Sequence, residues 1–243
     1  ARPIFVDIDA RTFNLDPQRV RDAVTPHTKA IVPVHLFGQC AGMDEILDIA
    51  RPRNIAVLED AAQAIRATHR GRSAGTIGDI GCFSFYPTKN LGGFGEGGMI
   101  LSNDERLATL CRQLRNHGGS QRYVHEHVGG NFRLDTMKAA ILLVKLRRLE
   151  EFTTQRRANA KRYDERLAGS GVVTPFVQAH CEHVYHQYSI LCDRRDELIV
   201  HLRERGVESG VYYPIPLHLQ VCFRSLGYKV GDLPITEATC SRI

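Results

Sequence analysis

A lysine followed by a glycine-rich turn is the feature of this sequence with the clearest chemical potential. Residues 81–98 read Gly-Cys-Phe-Ser-Phe-Tyr-Pro-Thr-Lys-Asn-Leu-Gly-Gly-Phe-Gly-Glu-Gly-Gly. This pattern predicts a buried strand that leads to Ser84 and then, past Pro87, to Lys89. Lysines are mostly solvated surface residues. The glycines after Lys89 let the backbone approach a ligand closely, which favours a functional lysine at this position.

Asp60 is the second candidate, because it comes just after a short apolar strand predicted at residues 55–58. Ligands of parallel α/β sheets bind outside the carboxyl ends of the strands, so an acid there is well placed to meet one. A carboxylate in this position also caps helices or lies in solvated turns. From position alone we favour that structural role.

Two further motifs suggest other chemistry. Gly93-Phe-Gly95-Glu-Gly-Gly98 matches a dinucleotide-binding pattern, but the pattern has that meaning only between a strand and a helix. The strand-like sequence after Gly98 therefore argues against a dehydrogenase. His125-Glu-His127 offers two metal-ligand types without an evident third, so we predict polar loop residues and no metal site.

The elements that must position these residues alternate between strand and helix. We predict strands at residues 29–37, 80–86 and 98–101, and a helix at 43–51. Asp16 and Pro17 form a helix start that leads towards Val24. Ser102 and Glu105 suggest a capping box for a helix that ends near His117, before Gly118. This alternation predicts an α/β fold with a mostly parallel sheet.

The second half of the chain predicts a different organisation. No glycine or proline interrupts residues 135–167, which indicates one long helix of the kind that connects two domains. A smaller α+β part follows, with a strand at 184–192 and a helix at 195–205 that Gly206 ends. We therefore divide the chain into a large domain at 1–140 and, at 141–243, the connecting helix with a small domain.

Composition excludes several classes of protein. The 243 residues are 43% apolar and 24% charged, without a membrane-length apolar run or a visible signal peptide. Seven cysteines without a Cys-x-x-Cys pair predict reduced thiols and a cytoplasmic location. The net charge of +5 is diffuse, and the arginine pairs alternate with acids rather than aromatics. We therefore predict no nucleic-acid and no membrane partner.

Several segments in order resemble the DegT/StrS family of nucleotide-sugar aminotransferases, which depend on pyridoxal phosphate. The matching motifs lie along essentially the whole chain. They are Val34-His-Leu-Phe-Gly-Gln39, Glu59-Asp-Ala-Ala-Gln63, residues 78–92, Gly130-Asn-Phe-Arg-Leu-Asp135 and Tyr213-Pro-Ile-Pro-Leu-His218. The resemblance implies a pyridoxal-phosphate-dependent transferase fold with a large cofactor-binding domain and a smaller α+β domain.

The resemblance also implies roles for individual residues. Lys89 matches the lysine that bonds to the cofactor aldehyde and then moves a proton at the substrate carbon. Asp60 matches the acid that keeps the pyridine nitrogen protonated. Gln63 matches a residue near the ring hydroxyl, and Ser84 matches a phosphate ligand. Asn131 matches a residue that reaches the neighbouring subunit's cofactor, which implies a homodimer with a shared active site.

The resemblance extends to the substrates. It implies substrate contacts at His125, Arg133 and His218, a nucleotide-linked keto sugar as acceptor, and an amino acid, by family default glutamate, as donor. The segments around Tyr123 and Asn131 favour a 3-keto over a 4-keto sugar. The alternative is an inactive or regulatory family member. The presence of Lys89 disfavours that alternative and also the dehydratase branch, in which a histidine replaces this lysine.

The sequence departs from the family in two ways. The family begins upstream of Ala1, in a part that carries a phosphate loop and the aromatic residue stacked on the cofactor, and it continues beyond Ile243. This predicts that the chain is a fragment. Arg66 also stands where the family has a small, glycine-containing segment, so that it either crowds the pocket or points into solvent.

Overall fold

The principal sheet has four strands: β1 (Ala30–Ile31), β2 (Ala56–Asp60), β5 (Ile80–Ser84) and β6 (Gly98–Leu101), in the order β1-β2-β5-β6. The computed structural model describes residues 1–243. Strands β1, β2 and β5 run parallel, and β6 is antiparallel to β5. The sheet is therefore mixed, and with the helices around it the α/β class is confirmed.

The strand predicted at residues 29–37 is wrong beyond its first part. Only Ala30–Ile31 forms β1, and an isolated bridge joins Val34 to Asp60. Pro33 has no backbone N–H, so it cannot continue the ladder as a donor. Its carbonyl instead accepts from the N–H of Asp60 at 2.9 Å. The chain then turns sharply at residues 36–38, where Phe37 has a φ of +58°.

The helices of the first half agree with their sequence patterns. Helix α1 (Pro17–Ala23) begins at Pro17, and the Asp16 side chain accepts from the N–H of Gln18. Helix α2 (Met43–Ala50) matches the predicted range closely. Both helices pack on β1 and β2 through a core of ten buried residues: Val20, Ile31, Ala41, Met43, Ile46, Ile49, Ala50, Ile55, Val57 and Ile77.

The predicted capping box of helix α3 (Glu105–Arg115) is wrong. Asp104 caps the helix, accepting from the N–H groups of Arg106 and Leu107. The Ser102 hydroxyl is two residues too early for that role. It donates to the carbonyl of Asp79 at 2.7 Å and accepts from the N–H of Asp104 at 3.1 Å. Ser102 therefore anchors the end of β6 and presents Asp104 to the helix.

The predicted single helix at 135–167 is two helices, α4 (Thr136–Leu146) and α5 (Leu149–Leu167). The backbone leaves the helical region at Arg148, with φ −105° and ψ 3°. Its N–H bonds to the carbonyl of Lys145, a tighter turn than an α-helix makes. The Arg148 guanidinium binds both carboxylate oxygens of Glu151, and Leu149 is buried. Packing and side-chain pairing, rather than a breaker residue, thus separate the helices.

Smaller elements complete the fold. Strands β3 (Thr68–His69) and β4 (Arg72–Ser73) form a hairpin, and β9 (Cys181–Glu182) adds to it in the order β4-β3-β9. Strands β7 (Gly119–Gln121) and β8 (Val124–His125) form a second hairpin. Helix α6 (Arg195–Glu204) confirms the predicted helix, and helix α7 (Pro234–Arg242) closes the chain. No helix combines the length and the apolar character that a bilayer crossing requires.

The strand predicted at 184–192 is reduced to an isolated antiparallel bridge between Leu191 and Val173. Several carbonyl groups in and beside this segment bind side chains instead of a neighbouring strand. Arg156 donates to the carbonyl of Tyr185 at 2.9 Å, and Arg157 donates to the carbonyl of His183 at 3.0 Å. The Asn90 amide donates to the carbonyl of Val184 at 2.9 Å. These bonds satisfy the carbonyls that a ladder would otherwise use.

The first residues of the chain contact its last helix. The Asp7 carboxylate accepts from the N–H groups of Ile235 and Thr236 at 2.9 and 2.8 Å, and from the Thr236 hydroxyl. It thus serves as the N-terminal cap of α7 from a distant part of the sequence. Phe5 packs beside it against Phe223 and Tyr228. The domain boundary proposed at residue 140 falls inside α4 and stays a prediction.

Candidate active site

Asp60 ends one strand of the sheet, and Lys89 comes shortly after the neighbouring parallel strand. Asp60 is the last residue of β2 and lies opposite Cys82 of β5. Strand β5 ends at Ser84, and a tight turn, in which the Lys89 N–H donates to the carbonyl of Tyr86 at 2.9 Å, presents Lys89. Both residues therefore lie at or just after the C-terminal ends of parallel strands, where ligands of such sheets bind.

The charges of these two residues interact. Burial lowers the pKa of Lys89 below its ordinary value of 10.5, and the Asp60 carboxylate acts in the opposite direction. Burial has the larger effect because it disfavours the charged ammonium. A lysine with a lowered pKa supplies more of the free amine, which is the form that attacks a carbonyl. Asp60 is itself fixed by accepting from the N–H of Ala62 at 3.0 Å.

The glycine-rich turn shapes the approach to Lys89. At Gly92 a Cβ would lie 2.1 Å from the carbonyl oxygen of Pro87, far inside van der Waals contact. The turn therefore folds back on the residues before Lys89 in a way that only glycine permits. The dinucleotide-binding pattern at Gly93 ends in β6 and is followed by no helix, in agreement with its rejection from the sequence.

Gln63 links the turn after β2 to two distant segments. Its Oε1 accepts from the N–H of Phe37 at 2.6 Å, and its Nε2 donates to the hydroxyl of Tyr213 at 3.2 Å. Ser84, at the end of β5, accepts with its Oγ from the N–H of Tyr86 at 3.2 Å. Asp60, Gln63, Ser84 and Lys89 thus all derive from β2, β5 and the turns that directly follow them.

A buried polar network behind Asp60 was not recognised from the sequence. The carboxylate of Glu59 accepts from three backbone N–H groups, those of Gly75, Ile77 and Gly78, at 2.6–2.8 Å, and binds His35 Nε2 at 2.8 Å. Glu59 precedes Asp60 in the strand, so their side chains point to opposite faces. The Asp60 side chain therefore remains available to a ligand at the C-terminal end of the strand. The Glu59 side chain binds the loop at residues 75–78.

His186 is a second residue that sequence reasoning missed. Burial lowers its pKa to about 4, and the charges of Lys89 and Arg156 act in the same direction. His186 is therefore a neutral imidazole in the electrostatic neighbourhood of Lys89. Its segment is held by Arg156, which donates to its carbonyl at 3.3 Å. No local pattern marks this position, because the long-range packing of α5 creates it.

The other predicted site residues lie in different surroundings. His125 and Arg133 are exposed near α3: His125 Nδ1 bonds to the carbonyl of His117 at 2.9 Å, and Arg133 donates to Asn116 at 2.8 Å. The exposed Asn131 pairs with Asn116 in an isolated bridge. His125 lines an open groove of ≈ 530 Å³, together with neighbouring residues of the β7–β8 hairpin. None of the three hydrogen-bonds to Lys89, Asp60, Gln63 or Ser84.

His218 is placed apart from the groove and from Lys89. Its side chain is fully buried, Nε2 lies 3.0 Å from Glu237 of α7, and the ring packs against Tyr228. Its predicted substrate contact stays a prediction. Arg66, by contrast, does not crowd the pocket. It has a φ of +73°, and its half-exposed guanidinium pairs with Glu150 of α5.

The residues present fit a pyridoxal phosphate. Such a cofactor needs an amine to bond its aldehyde, an acid for its ring nitrogen and neutral donors for its phosphate. Lys89, Asp60 and Ser84 supply one group of each kind, and Gln63 offers an amide beside them. The lowered pKa of Lys89 suits the first of these roles.

Comparison with known proteins identifies the family of this chain. The family model for DegT/DnrJ/EryC1/StrS aminotransferases matches residues 1–243. This chain belongs to that family. Among curated relatives, a pleiotropic regulatory protein of Geobacillus stearothermophilus is 52% identical over 98% of the chain and 64% of its own length. The UDP-2-acetamido-2-deoxy-3-oxo-D-glucuronate aminotransferase of Pseudomonas aeruginosa is 46% identical over 98% of the chain and 67% of its own length.

A solved structure supports the same assignment. The crystal structure of DesV from Streptomyces venezuelae, in complex with a ketimine intermediate, superimposes with a TM-score of 0.95 at 40% identity. The match covers 98% of this chain and 64% of DesV. The chain thus spans about two thirds of the length of these family members.

All seven of its cysteines are free thiols.

Proposed function

We propose that the protein is a pyridoxal-phosphate-dependent aminotransferase. It transfers an amino group from an amino acid, by family default glutamate, to a keto sugar linked to a nucleotide diphosphate. The observation that carries the proposal is the placement of Lys89 and Asp60 at the ends of two adjacent parallel strands, with burial lowering the Lys89 pKa. Membership of an aminotransferase family over the whole chain supports it.

Each of four residues has its own role in the proposed reaction. When bound, the cofactor supplies an electron sink for the carbanion at the reacting carbon. Asp60 holds a proton on the ring nitrogen, because its negative charge favours the charged form of that ring. The Lys89 amine would take a proton from the α-carbon of the amino donor and deliver it to the cofactor, and it would move a proton in the reverse direction when the keto sugar is aminated. Ser84 and Gln63 orient the cofactor by hydrogen bonds.

We further propose that the acceptor is a 3-keto sugar and that the active protein is a homodimer, located in the cytoplasm. The 3-oxo substrate named for the Pseudomonas aeruginosa relative supports the first point. Exposure of Asn131, Arg133 and His125 supports the homodimer, because a side chain that contributes to another subunit's site must project from the surface of its own subunit. Each subunit of a two-fold dimer lends the same residues to the other.

A regulatory function is the second candidate, because the relative with 52% identity is named a pleiotropic regulatory protein. One assay separates the two. The full-length protein is incubated with pyridoxal phosphate, glutamate and UDP-, dTDP- and GDP-linked 3-keto and 4-keto sugars, and amino-sugar products are measured by mass spectrometry. We expect amination of a 3-keto sugar, and none by Lys89→Ala.

A matched control keeps this assay specific. Lys161 is an exposed lysine of α5, and Lys161→Ala should aminate at the rate of the unmodified protein. Normal activity of Lys89→Ala would contradict the proposed role of that lysine. Failure of the unmodified protein on every sugar, despite cofactor binding, would favour the regulatory function.

A further inference from the structure

The β3–β9 pair brings together three metal-ligand side chains that are far apart in the sequence. His69 of β3 lies opposite Cys181 of β9 in the antiparallel register, and His180 immediately precedes β9. One donor atom from each of the three side chains lies within 4.8 Å of the others. Separation along the chain explains why no sequence spacing predicts a metal site here.

The two ring nitrogens of His69 face different groups. The side chain is fully buried, and its Nε2 lies 3.1 Å from the carboxylate of Asp44, close to it but without hydrogen-bond geometry. Its Nδ1, on the other side of the ring, faces the Cys181 Sγ at 3.6 Å. Histidines that bind metals commonly donate their second ring N–H to a carboxylate, which fixes the tautomer and raises the basicity of the ligating nitrogen.

We propose that His69, His180 and Cys181 form a zinc site, with a water molecule as the fourth ligand and Asp44 as the partner that orients His69. Nitrogen and thiolate donors are the set that Zn²⁺ prefers. Zinc bonds of 2.0–2.3 Å place tetrahedral ligands about 3.3–3.8 Å apart. The His69–Cys181 separation already meets this value, and the partly exposed His180 supplies the remaining movement.

The charges near the site are compatible with a dication. Arg70 and Arg72 carry positive charge, but both pair with Asp44 on the Nε2 side of His69. Binding replaces the thiol proton of Cys181, which is released to solvent, so the thiolate offsets one of the two metal charges. Neither Lys89 nor any other predicted active-site residue belongs to the cluster, so the metal would take no direct part in the proposed transamination.

The bound metal would brace the segment that leads to the active site. Cys181 is followed by His183 and Val184, whose carbonyls accept from Arg157 and from Asn90, the residue after Lys89. A metal that links β9 to the β3–β4 hairpin would therefore restrain the segment that Asn90 binds, next to Lys89. The expected consequence is thermal stabilisation.

The test uses the purified full-length protein, freed of metal with a chelator and dialysed against zinc sulfate. We expect one tightly held Zn²⁺ per chain and a rise in the melting temperature of about 5–10 °C at a hundredfold excess over Kd. Cobalt as a substitute ion should give a thiolate-to-metal charge-transfer absorption. Zinc binding in His180→Ala should fall at least about 100-fold. His180 is only partly buried, so we expect the truncated variant to keep its fold.

Further variants separate ligands from their surroundings. Cys181→Ser should abolish the charge-transfer band. Asp44→Asn should retain the band but weaken binding by about 10–100-fold, as expected when a carboxylate that orients a metal-binding histidine is lost. The exposed residues Cys222 and His27 provide the controls, and Cys222→Ser and His27→Gln should bind zinc normally. Circular dichroism of the metal-free variants verifies folding. Absence of stoichiometric zinc, or binding unchanged in both His180→Ala and Cys181→Ser, would overturn the proposal.

Discussion

His35 Nε2 lies 2.8 Å from Glu59 Oε2, and both side chains are completely shielded from solvent. The N–H of Ala41 donates to the other ring nitrogen of His35, so Nε2 carries the proton that Glu59 accepts. Three backbone N–H groups also donate to Glu59. The pair therefore ties residues 75–78 to the strand that ends in Asp60.

Replacing Glu59 by glutamine should destabilise the protein by about 2–4 kcal/mol, because an amide nitrogen then faces backbone donors that need an acceptor. Denaturant unfolding measures this loss. The exposed variant Glu204→Gln should leave the free energy of unfolding within about 0.5 kcal/mol of the original. Equal stability of the two variants would show that the Glu59 network contributes little.

The same network predicts a pH dependence of stability. Burial raises the Glu59 pKa, but the hydrogen bonds from His35 and from the backbone outweigh it, so that the pKa lies below its ordinary value of 4.5. A folded-state pKa below the unfolded one gives stabilisation that is present above about pH 4.5 and lost as the pH falls through the folded value. Unfolding of Glu59→Gln should therefore depend less steeply on pH in this acidic range.

Asp60→Asn retains size and removes charge. We expect turnover to fall about 100-fold or more while the Kd for pyridoxal phosphate changes less than about tenfold, since the charge matters most as the reacting carbon becomes negative. Absorbance titration gives the Kd, and product analysis gives the turnover. Asp48→Asn, an exposed change in α2, serves as the control. Near-normal turnover of Asp60→Asn would count decisively against its role.

The same variant should alter Lys89 in the protein without cofactor. Asp60 raises the Lys89 pKa, so removing its charge should lower that pKa further below its ordinary value of 10.5. The pH profile of Lys89 acylation, followed by peptide mass spectrometry, measures the shift. A profile that stays in place, or moves to higher pH, would show that the two charges do not interact as the structure indicates.

Tyr213→Phe removes the hydroxyl that accepts from Gln63 at 3.2 Å and leaves the ring in place. One neutral hydrogen bond contributes about 1 kcal/mol, so we expect cofactor affinity to fall about fivefold. Gln63→Ala should weaken binding at least as much, and the double variant should add little to it. Additive effects in this double-mutant cycle would show that Tyr213 acts independently of Gln63.

Sharing of the active site between subunits is tested by mixing two inactive variants. If Asn131 serves the partner's site, a dimer of one Lys89→Ala and one Asn131→Ala subunit has both lesions in one site and an intact second site. Activity should then recover to roughly a quarter of the normal value per site in a statistical mixture. If Asn131 acts in its own subunit, every mixed site has one lesion, and activity stays at the level of the separate variants.

Apolar side chains on α4 and near it predict self-association of the 243-residue chain expressed by itself. Phe94, Phe132, Met137, Leu143 and Val144 are each more than 60% exposed. Exposed apolar side chains that form a patch mark an interface or an aggregation liability. Ser84 and Asn131 supply only part of a phosphate cradle, so cofactor binding should also be weak. Light scattering and pyridoxal-phosphate titration test both points, and a soluble monomer that binds the cofactor at micromolar concentration would contradict them.

Local patterns predicted those parts of the fold that local forces determine. Asp16 and Pro17 begin α1 where the capping rule places them, the strand predicted at 80–86 is present as far as Ser84, and the strand predicted at 98–101 is β6. Errors arose where long-range contacts decide the backbone. Asp104 rather than Ser102 caps α3 because Ser102 binds Asp79, and Arg148 interrupts the helix between α4 and α5 without any breaker residue.

In the candidate site, too, local patterns indicate some residues and long-range contacts decide the position of others. Position alone favoured a structural role for Asp60, and the resemblance to the family supplied the catalytic roles. As candidates, however, Lys89 and Asp60 were recognised from the strands and turns that are visible in the sequence around them. His186 and the His35–Glu59 pair were not, because their surroundings are assembled from α5 and from the loop at 75–78. Buried polar residues of this type carry no signal until the partners that satisfy them are known.

The cap that Asp7 provides to α7 has a consequence for the order of folding. Its hydrogen bonds to Ile235 and Thr236 span more than 220 residues, so almost the entire chain must be organised before they can form. Closing so large a loop carries an entropic cost that local contacts do not have, and contacts of this kind slow folding. Helix α7 should therefore dock late. Its amide hydrogens should exchange with solvent sooner than those of the α2 core, through openings that leave the central sheet intact.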